Sequence, residues 1–406
     1  LAVESLHVKI GVSQIFRQQL SIDDLELQKV KFNLSDDSSR LELKVKLEEM
    51  NLFAQQVDLK KKQVDADHIF LGGGEVFLQT GNSVEPDTVA AEPLDWEFRL
   101  GKIELRQLGY RMNTTTLPYL GAGIAEGDLV GGVVNMGSQV VRMDTLNIAG
   151  GWCDMELAPS GENGQVTIVS QDTQPALPWT VSAGTLGMTN GSFRMGTAGK
   201  PTAELVLSGI KIQIDSVFNQ GTVVRAQLKD LQAVQQEGIT LTSMQADVVM
   251  DTTETSVHGA YIRTQNSWLD LNMQMDTDVG YLLQQEPLTV NLKGTIGLAD
   301  VLPFYSDIPH EIHQQKVNIN TAFTVTGKRL QVGQLILDMP GHFKITGSGS
   351  LSSWQDMKRM KGTFILRGEL PDVTFAQSFL GEQGVHIPRH MDLLTRLKAD
   401  RGNWDS

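Results

Sequence analysis

Residues 268–276 read Trp268-Leu269-Asp270-Leu271-Asn272-Met273-Gln274-Met275-Asp276, in which apolar and polar side chains alternate without a break. Successive side chains of a β-strand point to opposite faces of a sheet. The alternation therefore predicts a strand whose apolar face carries Leu269, Leu271, Met273 and Met275.

The same alternation recurs along the chain, at residues 41–47, 224–228, 244–250, 288–292 and 364–366. Glycine groups typical of turns separate these runs, at residues 72–74, 81–82, 161–164, 190–191 and 347–349. Helical spacing is confined to residues 300–313 and 389–398, with a turn or two at 375–380. We therefore expect an all-β protein, an elongated antiparallel array with one apolar face and a few short helices.

An internal repeat is the second organising feature. Seven residues recur in kind 83 positions later: Trp96, Gly101, Ile103, Leu105, Tyr110, Arg111 and Met112 match Trp179, Gly184, Leu186, Met188, Phe193, Arg194 and Met195. A weaker copy at residues 25–34 aligns with residues 103–112. This indicates similar β units that stack to bury a continuous core, the alternative being a plain β-sandwich whose strands share a pattern. We predict a β unit at residues 1–90, tandem Trp- and Gly-containing repeats at 91–200, and a C-terminal region at 201–406.

Composition limits the classes of partner. The chain has 34 basic and 48 acidic residues and a net charge of -14, which disfavours binding to nucleic acid. Its single cysteine, Cys153, excludes an intramolecular disulfide and a thiolate metal cage. No stretch approaches the roughly 18 to 20 apolar residues that a membrane-spanning helix needs. We expect the chain to be a piece of a longer protein, with any membrane anchor outside it.

A search for catalytic patterns yields no site. His310-Glu311-Ile312-His313 has its histidines three apart, whereas the metalloprotease pattern needs them four apart on a helix. Residues 121–127 have the glycine density of a phosphate loop without its spacing, and are more typical of a turn. Ser208-Gly209-Ile210-Lys211 lies in an alternating run, and Cys153 follows Trp152 in an apolar segment. We expect no catalytic residue, no metal and no cofactor, and therefore a protein that is not an enzyme.

Three parts of the chain carry a family resemblance. Residues 6–10 and 20–27 form a strand pair around a short turn, and the blocks after Trp96 and Trp179 run from Trp through Gly to an aromatic-x-Met end. The third part covers residues 205–373, in which 241–244, 251–257, 296–304 and 343–351 follow in order. With these features the chain resembles the translocation-and-assembly-module (TamB) family, within the AsmA-like group of bridge-like lipid transfer proteins.

The resemblance implies long sheets curled into a taco-like trough with an apolar interior. It implies a periplasmic protein that is anchored to the inner membrane in its full length. Its function would be phospholipid transport between the inner and outer membranes or outer-membrane protein assembly. The implied partners are phospholipid acyl chains and an outer-membrane assembly protein.

The residues expected to line the groove are the apolar members of the alternating strands in the C-terminal region. They are Leu269, Leu271, Met273, Met275, Leu288, Val290, Leu292, Phe323, Val325, Leu335, Leu337, Phe343, Ile345, Phe364 and Leu366. Exposed apolar surface in a water-soluble region commonly marks a binding site, and methionines would give an adaptable lining.

Two other functions fit the sequence. One is a structural or adhesive module of the envelope, a closed β-solenoid or sandwich array that acts as a spacer or a carbohydrate-binding surface. It would show exposed aromatic residues on a polar face, for which the six Trp residues are candidates. The equivalence of Trp96 and Trp179 instead favours packing roles for these two. The other is a hydrolase whose catalytic residues are dispersed along the sequence.

Overall fold

The chain is all-β, as its alternation predicts. A computed structural model describes residues 2–11, 19–36, 41–79, 95–113, 119–157, 179–199, 205–236, 238–251, 253–275, 287–305, 308–354, 359–372, 391–400 and 403–405. Within these residues the chain forms 21 strands. Contacts divide it into two units, residues 1–221 with 233–236, and residues 222–232 with 237–406.

Strands β1 to β10 belong to the first unit. Their bounds are Ser5–Gly11 (β1), Gln19–Asp36 (β2), Leu41–Asp58 (β3), Gln63–Gln79 (β4), Glu97–Asn113 (β5), Tyr119–Asn135 (β6), Val140–Ala149 (β7), Trp152–Leu157 (β8), Thr180–Thr197 (β9) and Leu205–Gln220 (β10). Antiparallel pairing joins β1 to β2, β2 to β3 and β3 to β4, then β5 to β6, β6 to β7 and β8, and β9 to β10. Three pairings are parallel: β4 with β5, β7 with β9, and β8 with β9.

The two strands of the internal repeat share a parallel pairing with an earlier strand. Both repeat strands, β5 and β9, start beside an earlier strand that runs in the same direction. At each start a glycine passes close to a carbonyl, because a Cβ on Gly101 would lie 2.5 Å from the oxygen of Asp67 and one on Gly184 would lie 2.6 Å from that of Asp144. Only glycine fits such an approach, so the repeated glycine is a packing requirement.

A left-handed residue marks the same place in all three copies of the repeat. Lys29, Gln107 and Asn190 have φ of 51°, 50° and 54°, and they occupy equivalent positions in β2, β5 and β9. Each lies inside a long strand and interrupts its extended backbone, and at Asn190 a β-bulge results because Thr189 and Asn190 face one residue of β10. The weak copy at residues 25–34 is therefore a structural repeat as well.

Strands β12 to β21 belong to the second unit, and β11, Val223–Gln235, is divided between the two units. Their bounds are Thr240–Met250 (β12), Thr255–Thr264 (β13), Trp268–Met275 (β14), Pro287–Gly297 (β15), Lys316–Thr326 (β16), Arg329–Met339 (β17), Phe343–Ser352 (β18), Lys361–Leu370 (β19), Met391–Asp400 (β20) and Asn403–Asp405 (β21). From β12 to β21 each strand pairs antiparallel with the next. Among the described residues, no helix is long and apolar enough to cross a membrane.

Two predictions of local structure need correction. The helix predicted at residues 389–398 is wrong, because Met391–Asp400 form strand β20 and pair with β19. Helical structure near residues 300–313 is limited to two 3-10 turns, Leu298–Asp300 and His310–Ile312. The turn predicted at 375–380 lies outside the described residues.

Several glycine groups predicted as turns are parts of strands. Residues 72–74 and 121–127 lie within β4 and β6, and residues 190–191 and 347–349 lie within β9 and β18. Gly73 has φ of 59° and interrupts the extended backbone of a continuing strand without a shift in its pairing with β3 or β5. Glycine density in this chain therefore marks interrupted strands and close approaches as well as strand ends.

Candidate apolar binding face

The second unit places all fifteen predicted lining residues on one face of strands β14 to β19. Directly paired residues of neighbouring strands share a face. One row of such pairs crosses all six strands and contains Leu271, Leu292, Thr321, Leu335, Gly347 and Leu366. A parallel row contains Met273, Val290, Phe323, Val332, Gly349 and Phe364. We call this surface the apolar face.

Partial burial distinguishes the apolar face from a closed core. Only Met275 and Val290 of the fifteen residues are buried, with exposed fractions of 1% and 6%. The other thirteen keep part of their surface accessible. In a sandwich, inward-facing side chains of both sheets fill the space between the layers and lose nearly all contact with solvent. The described part of this unit therefore leaves room above the face.

Glycines make part of the apolar face smooth. A Cβ on Gly347 would lie 2.5 Å from Cδ2 of Leu366, and one on Gly349 would lie 2.7 Å from Cγ of Phe364. The large side chains of β19 thus lean over the glycines of β18. The result is a level apolar surface in place of a row of separate projections.

The described apolar face carries no charged side chain in its central rows. Its polar member is Thr321, which is 7% exposed and whose Oγ1 donates a hydrogen bond of 2.9 Å to the carbonyl oxygen of Gln334. This hydroxyl is therefore satisfied by the backbone. Charged groups such as Asp270, Lys293 and Arg367 lie on the opposite face, because they pair in the alternate positions.

A polar cluster fixes the chain at one end of these strands. Asp300 accepts hydrogen bonds from Oγ1 of Thr264 (2.5 Å), Nδ2 of Asn266 (2.8 Å) and Oγ of Ser267 (2.6 Å). Burial of the Asp300 carboxyl favours its neutral form, but these hydrogen bonds outweigh burial and lower its pKa. The cluster ties the 3-10 turn at Leu298–Asp300 to the β13–β14 hairpin, which is a structural role.

The first unit also has apolar residues on one side of its strands, although none of the fifteen predicted lining residues lies there. Ala183, Leu186 and Met188 of β9 pair with Val217, Ile214 and Ile212 of β10. Near β3 and β4, the buried residues Ala54, Val57 and Ala66 pack against partly buried apolar residues that include Trp96 and Leu100. Trp179 differs from its repeat equivalent Trp96, since it is 38% exposed. Residues of positive φ such as Gln107 shift the apolar alternation by one residue, so this face does not show a continuous period of two in the sequence.

The remaining sequence candidates do not assemble into a reactive centre. His310 and His313 stack at 4.5 Å between ring centroids, and a ring nitrogen of His313 lies 2.8 Å from the carbonyl oxygen of Ile308. Burial, and then the charge of Asp154, raises the pKa of the Cys153 thiol, which disfavours the nucleophilic thiolate. Within the described residues, no three His, Cys, Asp or Glu side chains form a group that could hold a metal ion.

The fold and this surface define the class of the protein: an all-β chain in which a sheet presents a partly open apolar face. Comparison with known proteins does not narrow the class, because no family model, curated protein or solved structure matches the chain.

Proposed function

We propose that the apolar face binds the acyl chains of phospholipids and that the protein acts by binding, without catalysis. The observation that supports this proposal is the uncharged, partly accessible row of apolar residues that crosses six strands. In this proposal the protein works in the periplasm, held to the inner membrane in its full length. It carries phospholipid between the inner and outer membranes or supports assembly of outer-membrane proteins.

The energetics favour a hydrocarbon ligand. Each methylene group removed from water contributes about 0.8 kcal/mol, so an acyl chain gains affinity along its whole length without a specific polar contact. Neighbouring apolar side chains continue from strand to strand, so a chain can lie across the strands in many positions. Met273, which keeps part of its surface accessible, adds a flexible thioether side chain that adapts to such a ligand.

Adjacent residues of β19 give a matched test. Leu366 lies on the apolar face, while Ile365 is on the opposite face and is 40% exposed. We expect Leu366→Lys to lower binding of a fluorescent fatty acid and the amount of phospholipid that copurifies, because a charge then lies in the path of the chains. Ile365→Lys has the same chemistry on the other face and should retain both.

The measurement is mass spectrometry of an organic extract of each purified variant, with circular dichroism to show that both are folded. Phospholipid at the level of a control protein in the unmodified chain would contradict the proposal. That result would favour the alternative of a structural or adhesive envelope module. Equal loss in both variants would show that the effect is not specific to the apolar face.

A further inference from the structure

Trp152 lies on the polar face of the first unit, where an aromatic side chain is not needed for the core. Its neighbour Cys153 pairs with Ala122 and Phe193, while Trp152 pairs with Gly123 and Ser192 on the opposite side of the sheet. Trp152 is 40% exposed. Large aromatic side chains usually bury most of their surface in cores, so core packing does not explain the exposure of Trp152.

Glycines of β6 hold the indole ring against the backbone. A Cβ on Gly123 would lie 2.5 Å from Nε1 and 2.7 Å from Cε2 of Trp152, and one on Gly121 would lie 3.1 Å from Cζ3. The ring therefore rests on the strand where any larger residue would displace it. The next position across the sheet, Gly109 of β5, pairs with Gly123 and leaves open space beside the ring.

Polar side chains line this open space together with Leu108, Tyr110, Ile124 and Ala125. Nε of Arg111 forms an ion pair with Oε1 of Glu75 at 2.7 Å, with side-chain exposures of 55% and 39%. The Nη groups of Arg111 and the indole N–H of Trp152 have no hydrogen-bond partner among the described residues. Gln107 is exposed and has a positive φ of 50°. Glu75, Gln107, Arg111 and Trp152 line one cleft of about 430 Å³, a volume within the usual range of small-molecule sites.

We propose that this cleft binds a pyranose ring of a neutral oligosaccharide. A sugar ring presents axial C–H groups that stack on an exposed indole, and its hydroxyls both donate and accept hydrogen bonds. Arg111 and the indole N–H supply donors, Glu75 supplies acceptors and Gln107 supplies both. The arginine and glutamate charges offset each other, which suits a neutral ligand.

The experiment follows the indole N–H signals of the protein by NMR while maltotriose and the trimer of N-acetylglucosamine are added in turn. The Trp152 signal is assigned from its loss in Trp152→Phe. We expect at least one probe to shift it, and Trp152→Ala to weaken binding of that probe at least about tenfold, since one aromatic contact accounts for about that factor. Arg111→Ala should weaken it as well.

Trp354 provides the control, because it is 37% exposed and lies in the second unit. Trp354→Ala should bind the probe as the unmodified protein does. A Trp152 signal that stays in place with both sugars, or full binding by Trp152→Ala, would overturn the proposal. The site is independent of the lipid proposal, so Leu366→Lys should lose lipid and keep the sugar response.

Discussion

Asp251 shows how single polar residues set the turns of this sheet. Its Oδ1 accepts hydrogen bonds from the backbone N–H of Thr253 (2.9 Å), from the hydroxyl of Thr253 (2.8 Å) and from the backbone N–H of Glu254 (2.9 Å). Arg225 donates to Oδ2 at 3.3 Å. These hydrogen bonds, that from the backbone of Thr253 first, lower the pKa of Asp251 from 3.8 to about 2. The ionised carboxylate therefore closes the turn between β12 and β13.

This pKa shift predicts a pH-dependent effect of Asp251→Asn. A depressed pKa in the folded state means that the carboxylate stabilises the fold above its ordinary pKa of 3.8, and that this contribution disappears as the pH falls through about 2. We expect Asp251→Asn to lower Tm by a few degrees at neutral pH, with the difference from the unmodified protein narrowing below pH 3.8. Thermal melts over a pH series measure this difference in Tm, and Asp247→Asn in the same hairpin is the control. A difference that stays constant down to pH 2 would exclude the linkage.

At the scale of the strand, the sequence was informative where alternation runs without interruption. The fifteen apolar residues of β14 to β19 keep period two, and the structure places them on one face. In β5 the apolar positions run Phe98, Leu100, Ile103, Leu105 and Leu108, with phase shifts at Gly101 and Gln107. The positive φ at Gln107 is a property of the backbone, which apolar patterning alone does not identify. Parallel pairing of β4 with β5 was equally hidden, because alternation is the same for both strand directions.

The false helix at residues 389–398 has a different cause. Leu393, Leu394 and Leu397 have spacing compatible with a helix, but β19 offers a free edge whose N–H and C=O groups need partners. Strand pairing with that edge is therefore more stable than a helix, and Leu397 lies beside Phe364 on the apolar face. The cost is that Leu394 becomes 74% exposed on the other face. Long-range pairing thus overrides local periodicity here.

The positive φ of Asn190 makes this exposed position of β9 sensitive to β-branched residues. A β-branched residue is strained at φ of 54°, whereas Asn and Gly tolerate it. We expect Asn190→Val to destabilise the protein by about 1–2 kcal/mol, and Asn190→Gly to be neutral or slightly stabilising. Chemical denaturation measures both. The control is Thr185→Val, in a part of β9 that pairs in register with both β7 and β10, which should change stability little. Equal effects of the two Val substitutions would argue against the bulge as the cause.

At the scale of the whole molecule, the negative net charge opposes approach to an anionic membrane, whereas the apolar face would favour uptake of its acyl chains. The net charge of -14 repels vesicles that contain anionic lipid, whereas the central rows of the apolar face are uncharged and make no electrostatic distinction between lipids. Encounter with the bilayer should therefore depend on lipid charge, while retention of the acyl chains should not. Salt screens charges over a Debye length of about 10 Å at 0.1 M, so it should remove the first effect only.

This separation predicts the salt dependence of lipid uptake, on the assumption that the apolar face binds acyl chains. At low ionic strength, we expect faster uptake of a fluorescent phospholipid from phosphatidylcholine vesicles than from vesicles containing phosphatidylglycerol. Added salt should bring the two rates together by raising the slower one, and the amount bound at equilibrium should stay nearly equal. Stopped-flow fluorescence with both vesicle types measures the rates, and Leu366→Lys provides the variant without uptake. Uptake that is faster from the anionic vesicles, or that falls steeply with salt, would point to recognition of the headgroup by basic residues in place of acyl-chain burial.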